Sequence, residues 1–379
     1  MPAFLSSLLF WEATATLVGS IIGAGILAIP AAVAQTGFFI GFWIILITGI
    51  ISAVRHVMLA EVTLRTKHIH QLPGYVGIYL GKKAQWFTTL IYGMAHYGSL
   101  LAYCVGLGTI LSSFFGGSVF LWGGVYYIAL SLGAYHGISF VKRYELYLSS
   151  LVLILVVFIG FFAFDKLKFD HFVYMKPERW IVPYGVLLFA FSGAFAIPQM
   201  RETLRGHEMH FKPAVYVASI ITCIVYLLFT VMTLGVTGQE TTAVATIGLG
   251  QKIGPFMLIL GNVLAFFTMS TSFMTVANGF VGMYEYDFGF SHRKAWLYAL
   301  LPSLLLFAFG FRDFVLILSF VGGILTTLIT VMIVMTFWKA RHIGSRHPEF
   351  RLSDLHILGG GIIIFSLVGA VLTVLRNFS

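Results

Sequence analysis

The groups in this sequence best suited to holding a ligand belong to the backbone. Residues 25–30 read GILAIP and residues 193–198 read GAFAIP, so four of six positions agree with the same Gly-to-Pro spacing. Glycine weakens a helix through backbone entropy, and proline through its missing N–H. An interrupted helix frees N–H groups, which suit an anion, and carbonyls, which suit a cation. A zwitterion carries one charge of each kind, and glycine lets it approach the backbone closely. Either stretch alone is equally explained by close packing through small residues, as Gly19 and Gly23 would allow. Two breaks in the same register point instead to a binding site.

The elements that must position these breaks are membrane spans. The chain of 379 residues is 59% hydrophobic and 10% charged, against about 25% charged for a soluble domain. Its apolar runs are long enough to cross a bilayer, which takes about 20 residues. A soluble enzyme, a nucleic-acid-binding protein and a disordered scaffold are thereby excluded. Eleven spans can be drawn, with approximate limits 7–35, 38–64, 84–115, 119–137, 144–164, 181–204, 212–236, 254–285, 295–310, 313–338 and 355–375. The first is read as a retained helix rather than a signal peptide, because it lacks a basic start. Only Gly310–Asp313 separate the ninth and tenth. No long linker divides the chain, which reads as a single transmembrane domain over 1–379.

Because five spans precede the second break, the unit beginning there has the opposite topology. Two halves of about 7–164 and 181–338, with 355–375 as an extra helix, make the inverted repeat of a secondary transporter with discontinuous helices. Irregular backbone is tolerated at membrane depth only where it lines a cavity. With the N-terminus placed in the cytoplasm, 15 Lys and Arg fall on the cytoplasmic side and 7 on the outer side. That bias puts the N-terminus in the cytoplasm and the C-terminus outside. The net charge of +9 is therefore loop bias. The segment Thr237–Gly254 is too polar to span and is expected to pack over the outer mouth.

Titratable groups within spans mark function. The candidates are Glu12, Arg55, His56, Glu61, His96, Lys142 and Glu145, of which His96 alone reads as deep. Glu12 and Arg55 read as interfacial charges or an inner-gate ion pair. A satisfied interior histidine is the plain alternative for His96. The segment TMSTS at 268–272 is the most hydroxyl-dense of any span, although such hydroxyls also bond back to their own helix. Cys104 and Cys223 lie in apolar runs, so neither a disulfide framework nor a zinc site is expected. HExxH, GxSxG and P-loop motifs are absent, so the chain is not read as an enzyme, and no cofactor is implied.

Several stretches carry a family resemblance: GSIIGAGILAIP at 19–30, MLAEVTLRT at 58–66, HQLPGYVGIYLGKK at 70–83, FSGAFAIPQMRETL at 191–204 and TSFMTVANGF at 271–280. They resemble the amino acid/auxin permease family and the related bacterial aromatic amino acid permeases. These belong to the amino acid–polyamine–organocation superfamily, with the leucine-transporter fold. The resemblance implies that Gly23, Ala24 and Gly25 offer N–H groups to a substrate carboxylate. Phe191, Ser192 and Gly193 would offer carbonyls, and Ser192 its hydroxyl, to the amino group, with Phe191 shielding the pocket from outside. The third span would contribute Tyr97, Leu101 or Tyr103. A sodium site would use the carbonyls of Gly19, Ile22 and Thr268 with the hydroxyls of Thr271 and Ser272. A proton would instead need His96 or Lys142. Relatives often carry Glu where this chain has Gln199, which weakens any mechanism resting on a charge there.

No charged side chain falls in 20–26 or 190–196. An unpaired charge in such a site costs several kcal/mol, so a neutral, apolar or aromatic amino acid is expected. The reading is an ion-coupled secondary transporter working by alternating access in a prokaryotic plasma membrane. Sodium is the first choice of ion and a proton the second; the partners are an amino acid and membrane lipid. The alternative is a membrane amino acid sensor using the same pocket. It would need a soluble signalling module, whereas about six residues precede the first span and four follow the last.

Overall fold

The computed structural model describes residues 8–135, 138–353 and 355–378, with the side chains of 138–145 and 377–378 left aside. The described residues form helices and connecting loops, with no strand. The first span is α1 (Leu8–Ile21) and α2 (Ala24–Ala34); the second is α3 (Phe38–Arg65). A short α4 (Leu72–Leu80) leads to α5 (Lys82–Phe115), α6 (Val119–Tyr135) and α7 (Ile138–Phe164). After the short α8 (Asp170–Val173), α9 (Val182–Ala190) and α10 (Ala196–Thr203) form the sixth span, and α11 (Phe211–Thr237) the seventh. Then come the short α12 (Ala245–Ile253), α13 (Pro255–Gly282) and α14 (His292–Ala308). The tenth span is α15 (Phe314–Phe320) and α16 (Thr327–Ile343), joined through a π-helical stretch at Val321–Thr326. The eleventh is α17 (His356–Phe378).

Seven of these helices are long and apolar enough to cross a bilayer unaided, and the α1/α2 pair, bent by 49°, makes an eighth. The other three expected spans are α6 and α14, of 17 residues each, and the broken α9/α10 pair. The narrow boundary after α14 is real. Gly310 turns the chain at φ +97, and Asp313 caps α15 by accepting a bond from Leu316 N at 2.9 Å.

Burial follows from lipid as the solvent. Phe39, Trp43, Ile47 and Ile50 on α3 are exposed, at the three-to-four-residue spacing of one helical stripe that faces acyl chains. Every residue of α2 and of α9 is buried, so the two half-helices sit in the centre of the bundle. Between helices in lipid, close packing matters more than apolarity. At Gly322 in the π-helical stretch, a Cβ would lie 1.8 Å from the carbonyl oxygen of Gly185 on α9. That contact is a third irregular site, in the tenth span, which the sequence reading did not anticipate.

The two ends of the bundle differ. At the α4 end, Glu61 pairs with Arg65 at 2.7 Å and accepts a bond from Leu352 N at 2.7 Å. Arg346 donates to Leu64 O at 3.0 Å, and Arg201 on α10 donates to Thr63 O. Beside them lies a basin of about 820 Å³ rich in Lys, Arg and Glu, including Lys67, Arg201, Arg205 and Glu208. At the opposite end Lys176 N donates to Thr36 O at 2.9 Å, His171 Nδ1 bonds to Gly235 O at 2.9 Å and Lys252 pairs with Glu240. There α12, from the Thr237–Gly254 segment, packs against α2, α11 and α13.

Candidate functional site

The two breaks lie at Ile22–Gly23 and at Phe191–Phe195. They face each other through their half-helix ends. A Cβ on Gly25, in the first turn of α2, would meet Ala190 Cβ at 2.4 Å on the last turn of α9. A Cβ on Gly193 would meet Ile21 Cγ1 at 2.7 Å and Leu17 Cδ1 at 2.9 Å on α1. The shared motif therefore sits differently in the two breaks. It begins one residue inside α2 in the first, with Pro30 within the helix. In the second, Gly193 lies in the break itself and Pro198 near the start of α10.

Tyr226 on α11 ties the breaks together. Its hydroxyl lies 2.6 Å from Ile21 O and 2.9 Å from Ala190 O, and its one proton is shared between them. These are the C-terminal carbonyls of α1 and α9, where the helix dipole is negative and a donor is favoured. Gly23 N folds back onto Ile21 O at 2.8 Å. The first-turn N–H groups of Ala24 and Gly25 have no intrahelical partner, as at any helix N-terminus. In the second break, Phe191 O accepts from Arg55 Nη2 at 3.1 Å, and Gly193 O accepts from Ala196 N at 3.0 Å. Ser192 is half-buried.

Arg55 corrects the sequence reading. It is not paired with Glu12 at an inner gate but is 1% exposed, one helix away from the second break. Its Nη1 donates to Thr330 at 3.0 Å and its Nη2 to Ser52 at 3.1 Å, besides Phe191 O. All three acceptors are neutral. His96 is not alone in its burial: Arg55, His56 and Glu61 are buried as well. Arg55 and His96 line a narrow cleft, with room for about a water in this state, together with Tyr92, Ser99, Ser192 and Phe195. A lone Arg in an apolar span was visible in the sequence, and its depth was not. Tyr226 left no signal, since a tyrosine in an apolar helix ordinarily reads as core.

The remaining expected residues divide. A Cβ on Gly23 would come within 2.5 Å of Ser272 Oγ and 3.2 Å of Tyr103 Cε1, so α1, α5 and α13 converge there. Tyr97 points elsewhere: its hydroxyl donates to Tyr298 O at 2.8 Å and its ring meets Phe280 at 4.9 Å. Leu101 is buried. The Phe191 ring packs on Tyr226 at 5.0 Å and reaches Gly49 on α3, so it fills the α3–α11 interface rather than covering an outer mouth. Among the oxygens expected to hold sodium, Ser272 Oγ donates to Gly19 O at 2.8 Å. Thr271 Oγ1 bonds back to Phe267 O and Thr268 O at 2.9 and 3.0 Å. These are neutral oxygens of the kind hard cations take, and each hydroxyl keeps lone pairs for an ion. Ile22 lies in the first break, three residues after Gly19. The Lys142 side chain lies outside the described residues.

The broken pairs α1/α2 and α9/α10, meeting inside a bundle of apolar helices, are the discontinuous helices of the leucine-transporter fold. Two solved structures share the fold. MhsT in complex with L-phenylalanine matches with a TM-score of 0.72 at 14% identity, covering 98% of each chain. Mhp1, a nucleobase-cation-symport-1 family transporter in a closed conformation with bromovinylhydantoin bound, matches with a TM-score of 0.67 at 12% identity, over 96% of this chain and 90% of that one. Residues 7–376 match the tryptophan/tyrosine permease family, and the chain belongs to that family. The tyrosine-specific transport system 1 of Haemophilus influenzae is 25% identical over 397 residues, covering 95% of this chain and 94% of that protein. The chain is thus an amino acid transporter of the membrane rather than an enzyme, and these relatives do not favour a sensor.

Proposed function

We propose that the chain carries aromatic amino acids, tyrosine or tryptophan first, across the plasma membrane by ion-coupled alternating access. The observation that carries this is the meeting of the two breaks. The N-terminus of α2 and the C-terminus of α9 abut at Gly25 and Ala190, presenting a positive and a negative helix end to one zwitterion. In this reading the free N–H groups of Ala24 and Gly25 take the carboxylate, since the Gly23 N–H is held by Ile21 O. With the Phe191 and Gly193 carbonyls already engaged, the Ser192 carbonyl and hydroxyl do most to hold the amino group. Tyr103 on α5 flanks the substrate more closely than Tyr97. The halves 7–164 and 181–338 act as the two moving units, with the N-terminus cytoplasmic and the C-terminus outside. The family membership and the name of the Haemophilus relative support the aromatic class.

The test is competition for labelled tryptophan uptake by tyrosine, phenylalanine, leucine, alanine, lysine and glutamate. Aromatic competitors should win, and strong competition confined to lysine or glutamate would sink the reading. Sodium is the proposed coupling ion, held by Gly19, Ile22, Thr268, Thr271 and Ser272. Thr271→Ala with Ser272→Ala should then abolish sodium-dependent thermal stabilisation. Uptake driven fully by a pH gradient without sodium would move the assignment to a proton and to His96 or Lys142.

A further inference from the structure

The cleft beside the second break contains two orphan groups of opposite kind. Arg55 Nε and His96 Nε2 are both buried without a hydrogen-bond partner, and both residues line this cleft. Arg55 carries a permanent charge. Its three partners are neutral oxygens, and among the described residues no carboxylate is paired with it. A buried cation of this kind strongly favours an anion. His96 Nδ1 lies 2.7 Å from Tyr92 O. A carbonyl only accepts, so Nδ1 holds the ring proton and Nε2 of the neutral ring presents a lone pair. The cleft thus lacks one acceptor and one donor.

We propose that this cleft is a second binding subsite for the head group of an α-amino acid, with the carboxylate on Arg55 and the ammonium on His96 Nε2. Ser192, in the wall of the same cleft, connects it to the break. The proposal rests on the transport reading above and adds a step to it. His96 lies seven residues before Tyr103 on α5, about 10 Å along the helix toward the α4 end. Tyr103 marks the first break. The substrate would therefore meet Arg55 and His96 after leaving the crossing of the breaks, on its way to the Lys- and Arg-rich end. The rings of Phe195 and Phe280, 5.6 and 5.0 Å from His96, keep that stretch dry and give an aromatic side chain surfaces to slide over.

The experiment measures KM for labelled tryptophan at each face of reconstituted wild-type protein, Arg55→Gln, Arg55→Lys, His96→Phe and His96→Gln. Arg55→Gln and His96→Phe should raise KM at the α4 face about tenfold or more and move KM at the other face less than twofold. Arg55→Lys keeps the charge and His96→Gln keeps an acceptor, so both should stay close to wild type at both faces. A purely structural role for Arg55 on Phe191 O would disturb both faces together. Equal shifts at the two faces, or none at either, would overturn the proposal and leave the orphan groups to a bridging water. If Arg55→Gln does not purify as a monodisperse protein, the His96 pair decides by the same criterion. Absence of any tryptophan transport by wild type would instead defeat the substrate reading.

Discussion

The two breaks share a motif and differ in almost everything around it. The first spans two residues, Ile22 and Gly23, and is clamped by Ser272 and Tyr103. The second spans five, Phe191–Phe195, and borders a cleft and a buried arginine. At the first, glycine is needed against the backbone: the virtual Cβ of Gly25 lies 2.6 Å from Ala190 Cα. At the second, the virtual Cβ of Gly193 meets only the ends of Ile21 and Leu17 side chains. A shared local motif thus supports a tight hinge in one place and an open, charged junction in the other. The neighbouring helices supply the difference.

The largest expected effect tests that asymmetry. Gly25→Ala pushes a methyl into the last turn of α9, which cannot swing aside, and overpacking costs about 1–3 kcal/mol. Tryptophan uptake should fall by about a hundredfold, the upper part of that range. Gly193→Ala displaces flexible side chains and should lose less than about fivefold by the same reasoning. Similar losses in the two variants would erase the distinction between hinge and junction.

A smaller effect is expected where the breaks are joined. Tyr226→Phe removes the donor shared by Ile21 O and Ala190 O; Ile21 O keeps Gly23 N, and leaving the buried Ala190 carbonyl unsatisfied costs about 1–3 kcal/mol. The melting midpoint should drop by a few degrees and uptake by about tenfold, toward the lower end of that range. An unchanged midpoint with unchanged uptake would mean that the two breaks move independently of this bridge.

The smallest effects compare single hydroxyls. Ser272→Ala frees Gly19 O at the first break, and Ser52→Ala removes one of three partners of Arg55 at the second. Each bond is worth about 1 kcal/mol. Ser272→Ala should be the more damaging to stability, because it leaves a buried carbonyl bare while Arg55 keeps Thr330 and Phe191. Thermal unfolding of the two variants side by side measures this, and the reverse order would count against the tight-hinge description.

Much of this molecule was legible in the residues. Hydropathy alone marked eleven apolar segments, because a bilayer-spanning helix must be long and uncharged whatever surrounds it. Length and apolarity in the structure single out eight of them, the others being short or broken. The GAFAIP stretch overlies the second interruption and GILAIP begins two residues past the first, since Gly and Pro act on the backbone close to them. Tertiary structure decided what fills the space around those interruptions. Arg55 read as an interfacial charge because its depth depends on how far α3 is drawn past the second break. Tyr97, assigned to the pocket, turned to Tyr298 because helix rotation about α5 is set by its packing partners and not by its sequence alone. The bridge from Tyr226 to Ile21 and Ala190 joins residues up to 205 positions apart. No local pattern encodes such a contact, because its energy exists only once three helices have met.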